Sequence, residues 1–212
     1  MTRGRRAALA FVGGAALLLA GGIARLAAGG RNSDGVGGDA PPSAALAGAS
    51  AGSVYDLHLE VVGTDGARHP LEELRGHPVV AAMFFASCPS ICPLLINDLQ
   101  RLETTAPASI RRDLRVLLVS FDPARDTPAV LQQAIVHGHG LDPQRWRVAV
   151  APDDDTARVL AAALGTRYRA GANGMFDHTT DITLLDTDGR VRARSVDPQA
   201  IATDLAAMAR QR

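Results

Sequence analysis

From residue 54 onward, short continuous apolar runs take turns with stretches in which apolar side chains recur every three or four positions. Tyr55 to Val62, followed by the turn residues Thr64-Asp65-Gly66, predicts an opening hairpin. Val79-Val-Ala-Ala-Met-Phe-Phe85 and Val116-Leu-Leu-Val-Ser-Phe121 predict buried strands, and Trp146 to Val150 a shorter one. Leu94 to Leu102 has the spacing of an amphipathic helix. Thr127-Pro128 opens another, with Pro where its missing N–H does no harm. Asp155 to Leu164 reads as a helix closed by Gly165, Asp181 to Leu185 and Arg190 to Ser195 as a hairpin around Asp188-Gly189, and Pro198 to Ala209 as a final helix. Strands alternating with helices and ending in a hairpin imply an α/β layer architecture, a central sheet covered by helices on both faces.

The start of the chain has a different pattern. Met1-Thr-Arg-Gly-Arg-Arg6 is basic, and Ala7 to Ala24 follows with eighteen uncharged residues. A helix of that length covers roughly 27 Å, just short of a hydrocarbon core of roughly 30 Å. Residues 1–28 are therefore expected to be a transmembrane anchor or signal segment. A small-x-small cleavage motif does not follow the apolar run directly, which favours an uncleaved anchor, with secretion as the alternative. Arg3, Arg5 and Arg6 would keep the N-terminus in the cytoplasm and send the rest to the outer side of the cell membrane. Residues 29–53 are Gly, Ala, Ser, Pro and Asp with almost nothing large enough to bury, the composition of a flexible linker. Residues 54–212 then form the folded domain.

Composition narrows the function classes. The apolar share of 47% and charged share of 21% suit a globular protein, and a formal net charge of zero leaves no electrostatic case for nucleic acid. The chain has two cysteines, and both fall within Cys88-Pro-Ser-Ile-Cys92-Pro93. They form one local unit after a buried strand and at the opening of a helix, where four-residue spacing would place both sulfurs on one helix face. The positive end of a helix favours thiolate over thiol. Three readings fit such a pair: a structural disulfide, a redox-active dithiol in a thioredoxin-like fold, which this order of strands and helices suits, and a soft metal site with a third ligand elsewhere. His178, in Gly174-Met-Phe-Asp-His-Thr-Thr-Asp-Ile-Thr-Leu-Leu-Asp186, is the candidate third ligand, since it stands just before a strand on a loop that such a fold returns toward the first long helix. Asp177 could orient it. Asp122 reads as a turn residue and Asp126 or Thr127 as the cap of the following helix, with contacts beside the site as the alternative for Asp122 and Asp126. His137 and His139 lie two apart and diverge on a helix; His58, His69 and His77 lack ligand spacing; Asp153 to Asp155 complement a helix N-terminus.

Three blocks together resemble the Sco/SenC family of copper chaperones: Cys88-Pro-x-x-Cys92-Pro93, Val119-Ser-Phe-Asp-Pro-Ala-Arg-Asp-Thr-Pro128, and Asp177-His178-Thr179 followed by Leu184-Leu-Asp-x-Asp-Gly189. They occur in the family's order, and the likeness runs from about Val54 to the C-terminus. It implies a thioredoxin-like domain on the outer side of a membrane that binds copper, as Cu(I) or also Cu(II), through Cys88, Cys92 and His178. It also implies a partner, the copper A-bearing subunit of cytochrome c oxidase, and a copper donor protein. The small Ala86 and Ser87 before the first cysteine and Ala-Pro-Asp-Asp-Asp after Val150 depart from the family's usual residues and bear on the partner-facing surface. The expected role is a metallochaperone rather than an enzyme. The alternative is a thiol-disulfide reductase with Cys88 and Cys92 as catalytic residues, acting on that oxidase subunit or other exported proteins. A peroxidase fits least, because no activating Arg and Thr stand around a cysteine. A carrier of this kind would lose affinity as pH falls, and oxidation of the pair would remove two ligands at once.

Overall fold

In the computed structural model, which describes residues 52–171 and 174–211, a seven-stranded sheet runs through the centre of the domain. Its strands are β1 (Glu60–Gly63), β2 (Arg68–Pro70), β3 (Val79–Phe84), β4 (Arg115–Ser120), β5 (Trp146–Val150), β8 (Ile182–Leu185) and β9 (Val191–Ser195). Their order is β2-β1-β5-β4-β3-β8-β9. β3, β4 and β5 are parallel, with Val80 opposite Val116 and Val116 opposite Trp146. On either side β1 and β8 are antiparallel to them, and the edge strands β2 and β9 are antiparallel in turn to β1 and β8. A second sheet holds only β6 (Tyr168–Ala170) and β7 (Phe176–His178).

The helices are α1 (Ile91–Thr105), the single turn α2 (Ala108–Arg111), α3 (Pro128–Leu131), α4 (Asp154–Leu164) and α5 (Pro198–Ala209). α1 and α5 pack together on one face of the sheet. α3, continued by a wider π-helical turn over Gln132–His137, lies beside α1, where Gln100 donates to the carbonyl of His139. α4 covers the other face, and there the Thr183 hydroxyl of β8 donates to the Leu164 carbonyl. Every residue of β3 is buried, as expected of a central strand covered on both sides. α1 buries Cys92, Leu95, Ile96, Leu99 and Leu102, spaced as one helical stripe, and its buried Glu103 is satisfied by the Trp146 indole N–H and Arg145.

The mixed α/β, thioredoxin-like architecture agrees with the pattern of the sequence, and the strand and helix positions shift by only a few residues. The caps are as read: Thr127 accepts from the Val130 N–H, Asp153 accepts from the Thr156 N–H, and Gly165 ends α4 with a φ of 80°. The first strand is shorter than its apolar run. Ser53 and Asp56 form a reciprocal capping box, which turns Val54–Leu57 into a 3-10 helix before β1 begins. Tyr55 in that turn packs against Gly189, where a Cβ would come within 2.4 Å of the ring, so the Asp-x-Asp-Gly turn needs its glycine. The expected anchor, and the linker save its last two residues, lie outside the described residues. Among the described residues no helix is long and apolar enough to cross a membrane.

Candidate metal centre

The site stands at the carboxyl ends of β3 and β4, where parallel strands of an α/β sheet leave a crevice. β3 runs out through the buried Phe85, whose carbonyl accepts from the Cys88 N–H at 3.2 Å. Cys88 is not a helical residue, contrary to the expectation of two sulfurs on one helix face. α1 begins at Ile91, so Cys88 lies in the loop before it and Cys92 in its first turn. The Ser90 side chain makes no capping bond. Instead the Cys92 N–H donates to Cys88 Sγ at 3.4 Å, and sulfur serves one of the free donors at the helix start. Pro93 falls in the same turn, where a missing N–H leaves nothing unpaired.

Both thiols are free and buried, with Cys88 7% and Cys92 3% exposed. Their acidities diverge. Burial pushes Cys88 up, but the His178 imidazole, the Cys92 thiol and the N–H groups of Ser90 and Cys92 outweigh it and bring its pKa down from 9.0 to about 7. For Cys92 burial wins, and the neighbouring Cys88 and Asp126 push the thiol further up.

His178 arrives from outside the main sheet, at the end of β7. Tyr168 pairs with His178 and Ala170 with Phe176, while Arg169 pairs with Asp177 on the opposite face of the hairpin. That alternation corrects the role considered for Asp177. Its carboxylate points away and holds the exposed Arg169 at 2.9 Å. The imidazole is oriented by its neighbour's backbone, with Nδ1 3.1 Å from the Thr179 carbonyl. A carbonyl only accepts, so Nδ1 carries a proton, and Nε2 is the nitrogen left to face the sulfurs. Nε2 stands 3.8 Å from Cys92 Sγ, and the donor atoms of Cys88, Cys92 and His178 all lie within 4.8 Å of one another. Among the described residues these three are the single group of His, Cys and acidic side chains close enough to share an ion. His137 is turned to Gln132 and Gln133, His58 to Glu72, His69 to Asp65 and Glu73, and His77 to the Asp113 carbonyl.

An aromatic shell that the sequence did not announce surrounds the imidazole. Phe85 and Phe121 each lie 5.5 Å from it, Tyr168 stacks on Phe121 at 4.3 Å, and Phe176 meets both phenylalanines edge-on at 5.3 Å. Four of the chain's eight aromatic residues are spent here. Behind them the loop after β4 ties the parts together. Asp126, expected as a cap, is instead buried, accepting from the Ala86 N–H at 2.7 Å and from the Ser120 hydroxyl at 2.5 Å. Burial raises its pKa against those two hydrogen bonds. Asp122 accepts from Arg125, which also donates to the Gly174 carbonyl in the β6–β7 connection. The one signal for these contacts was the Asp-Pro-Ala-Arg-Asp-Thr-Pro run itself.

Comparison with known proteins places the domain in a family. A protein of Stutzerimonas stutzeri named as copper-binding is 27% identical over 138 residues, a match covering 63% of this chain and 65% of that relative's length. Among solved structures, Arabidopsis thaliana ScoI with copper bound superposes with a TM-score of 0.58 at 17% identity, over 70% of this chain and 96% of its own. BsSco, described as having a disulfide switch and as a member of the Sco family of cytochrome c oxidase assembly proteins, gives 0.59 at 19% identity, over 72% and 92%. At these identities the structural likeness is one of fold. The match to the SCO1/SenC family model extends over residues 48–211, nearly all of the domain that carries the cysteines, the imidazole and the loop joining them, and the chain belongs to that family.

Proposed function

We propose that the chain binds one copper ion through Cys88 Sγ, Cys92 Sγ and His178 Nε2 and delivers it to the copper A-bearing subunit of cytochrome c oxidase. The observation that carries this is the convergence of three soft or borderline donors within 4.8 Å of one another. The donor set fits the ion. With the bond lengths of zinc, likewise a d10 ion, about 2.3 Å to sulfur and about 2.0 Å to nitrogen, an angle of about 120° puts the outer atoms about 3.7 Å apart. Cys92 Sγ and His178 Nε2 stand at 3.8 Å. Two thiolates and a neutral imidazole suit Cu(I), and three ligands leave a fourth position for a recipient's side chain, so that transfer proceeds by ligand exchange. Exposed Ile91 and Leu94 flank Cys92 in the first turn of α1, giving a recipient apolar surface beside the cargo. Membership of the family, and the copper named for its relatives, support the same reading. The N-terminal apolar segment would hold the domain on the outer side of the cell membrane, where both a copper donor protein and the oxidase subunit can reach it.

The unequal thiols favour a second activity at the same atoms. Cys88, with its pKa near 7, attacks a disulfide as thiolate; Cys92 then displaces the substrate's second sulfur, leaving Cys88 and Cys92 as a disulfide and the substrate as two thiols. The discriminating experiment is metal analysis of the reduced full-length chain beside Cys88→Ser and His178→Ala. One copper per chain, lost in both variants, supports delivery. Full retention in both removes it, whereas thiol reduction that survives His178→Ala while copper is lost assigns both activities to the site.

A further inference from the structure

We propose that Arg125 is a positioning residue: it sets where the His178 hairpin stands relative to the two cysteines and so determines how tightly the site holds copper. The inference rests on the copper reading above. Arg125 lies between the two arms of the site. On one side its guanidinium is 5.9 Å from the ring centre of Phe85, the residue whose carbonyl takes the Cys88 N–H. On the other it is 5.3 Å from the ring centre of Phe176, which lies two residues from His178 and on the same face of the hairpin. Nε donates to Asp122, a carboxylate whose side chain is only 4% exposed, and Nη1 donates to the Gly174 carbonyl. The adjoining Asp126 accepts from the Ala86 N–H, two residues before Cys88. One five-residue loop therefore holds the cysteine arm by a buried carboxylate and the histidine arm by a planar cation.

An independent feature of the hairpin matches this role. Gly174 has a φ of +72°, and a Cβ there would stand 3.0 Å from Arg125 Nη1. The position is shaped to admit the guanidinium. A lysine could not replace it, since one ammonium lacks both the fork that serves two separated acceptors and the flat face that lies against two rings. Among the described residues β6 and β7 share no ladder with the main sheet, so their placement depends on contacts of this kind.

The test is a double-mutant cycle on the full chain, with Cu(I) affinity read by competition against a chromophoric chelator. Arg125→Ala is expected to weaken binding by about 10- to 100-fold, the range for residues that orient ligands, and Arg125→Lys to recover little of it. In a His178→Ala background Arg125→Ala should change affinity by no more than about twofold, because the group it positions is gone. Amide exchange in the metal-free chain gives a readout without copper: Thr179 and Gly171 should lose protection in Arg125→Ala while Ile182 to Leu185 keep theirs. If His178→Ala weakens copper but Arg125→Ala binds like the parent, the positioning role is wrong and the copper site stands. An equal loss from Arg125→Ala with and without His178 also overturns it, as an effect on the whole fold. If His178→Ala itself binds like the parent, the underlying copper reading fails instead.

Discussion

The two arms of the site are built by opposite means. Cys88 and Cys92 follow directly from the fully buried β3, where the Cys88 N–H donates to the Phe85 carbonyl and the Cys92 N–H to Cys88 Sγ. His178 sits on a two-stranded hairpin outside the seven-stranded sheet, located by ring contacts and by Arg125. The lesson is that the ligands of the proposed copper site need not be equally anchored. A firm dithiolate would retain the ion, and a ligand held by side-chain contacts would set how completely it is enclosed.

Removing a sulfur should have the largest effect on copper. Cys92→Ser or Cys88→Ser is expected to weaken Cu(I) binding by more than the roughly 100-fold typical of residues outside the ligand set, measured by chelator competition. A loss no greater than that of Arg125→Ala would erase the contrast between the arms. Phe121→Ala comes next, because it opens a cavity beneath Tyr168, Phe176 and the imidazole together. Its cost to folding should be about 3–4 kcal/mol, read by denaturant unfolding of the metal-free chain. Asp126→Ala leaves the Ala86 N–H and the buried Ser120 hydroxyl without their acceptor and should cost about 2 kcal/mol, on the cysteine arm.

Proton release gives a sharper test of the unequal thiols. Cys88 is largely thiolate above pH 7 and thiol below it, whereas Cys92 is protonated throughout the ordinary range. Copper binding should therefore displace about one thiol proton above pH 7 and about two below. Affinity then falls with acid, and more steeply below pH 7. Alkylation of the metal-free chain by iodoacetamide should follow Cys88 with a midpoint near pH 7; a midpoint near 9 would show that the helix start and the imidazole leave that sulfur unaffected. The smallest effect belongs to Asp177→Ala, which breaks only an exposed pair with Arg169 and should change stability by less than about 0.5 kcal/mol and copper affinity not at all.

Much of this was legible along the chain. The strand β3, the stripe of α1, the caps Thr127 and Asp153 and the closing hairpin all follow from local periodicity and turn chemistry, which act over a few residues. Cys88, Cys92 and His178 could be singled out because metal ligands belong to few residue types, and the order of three motif blocks resembled a known family. The hairpin β6–β7 was not legible, since two three-residue strands are too short for their alternation to register. Asp126 was read as a cap because Asp before Thr-Pro ordinarily is one; only the approach of Ala86, forty residues earlier, turned it inward.

Sequence by itself determined the order of strands and helices and the closeness of the two thiols, because each depends on residue type and near neighbours, and its resemblance to a family singled out His178 as the candidate third donor. The tertiary structure alone decided that Nε2 rather than Nδ1 faces the sulfurs, that Cys88 and Cys92 differ in acidity, that Asp177 turns outward, and that Arg125 joins the arms. Except for Asp177, which is set by its pairing with Arg169 in the same short hairpin, those outcomes depend on distances between segments 40 to 90 residues apart and on what burial does to charge. No local pattern carries that information.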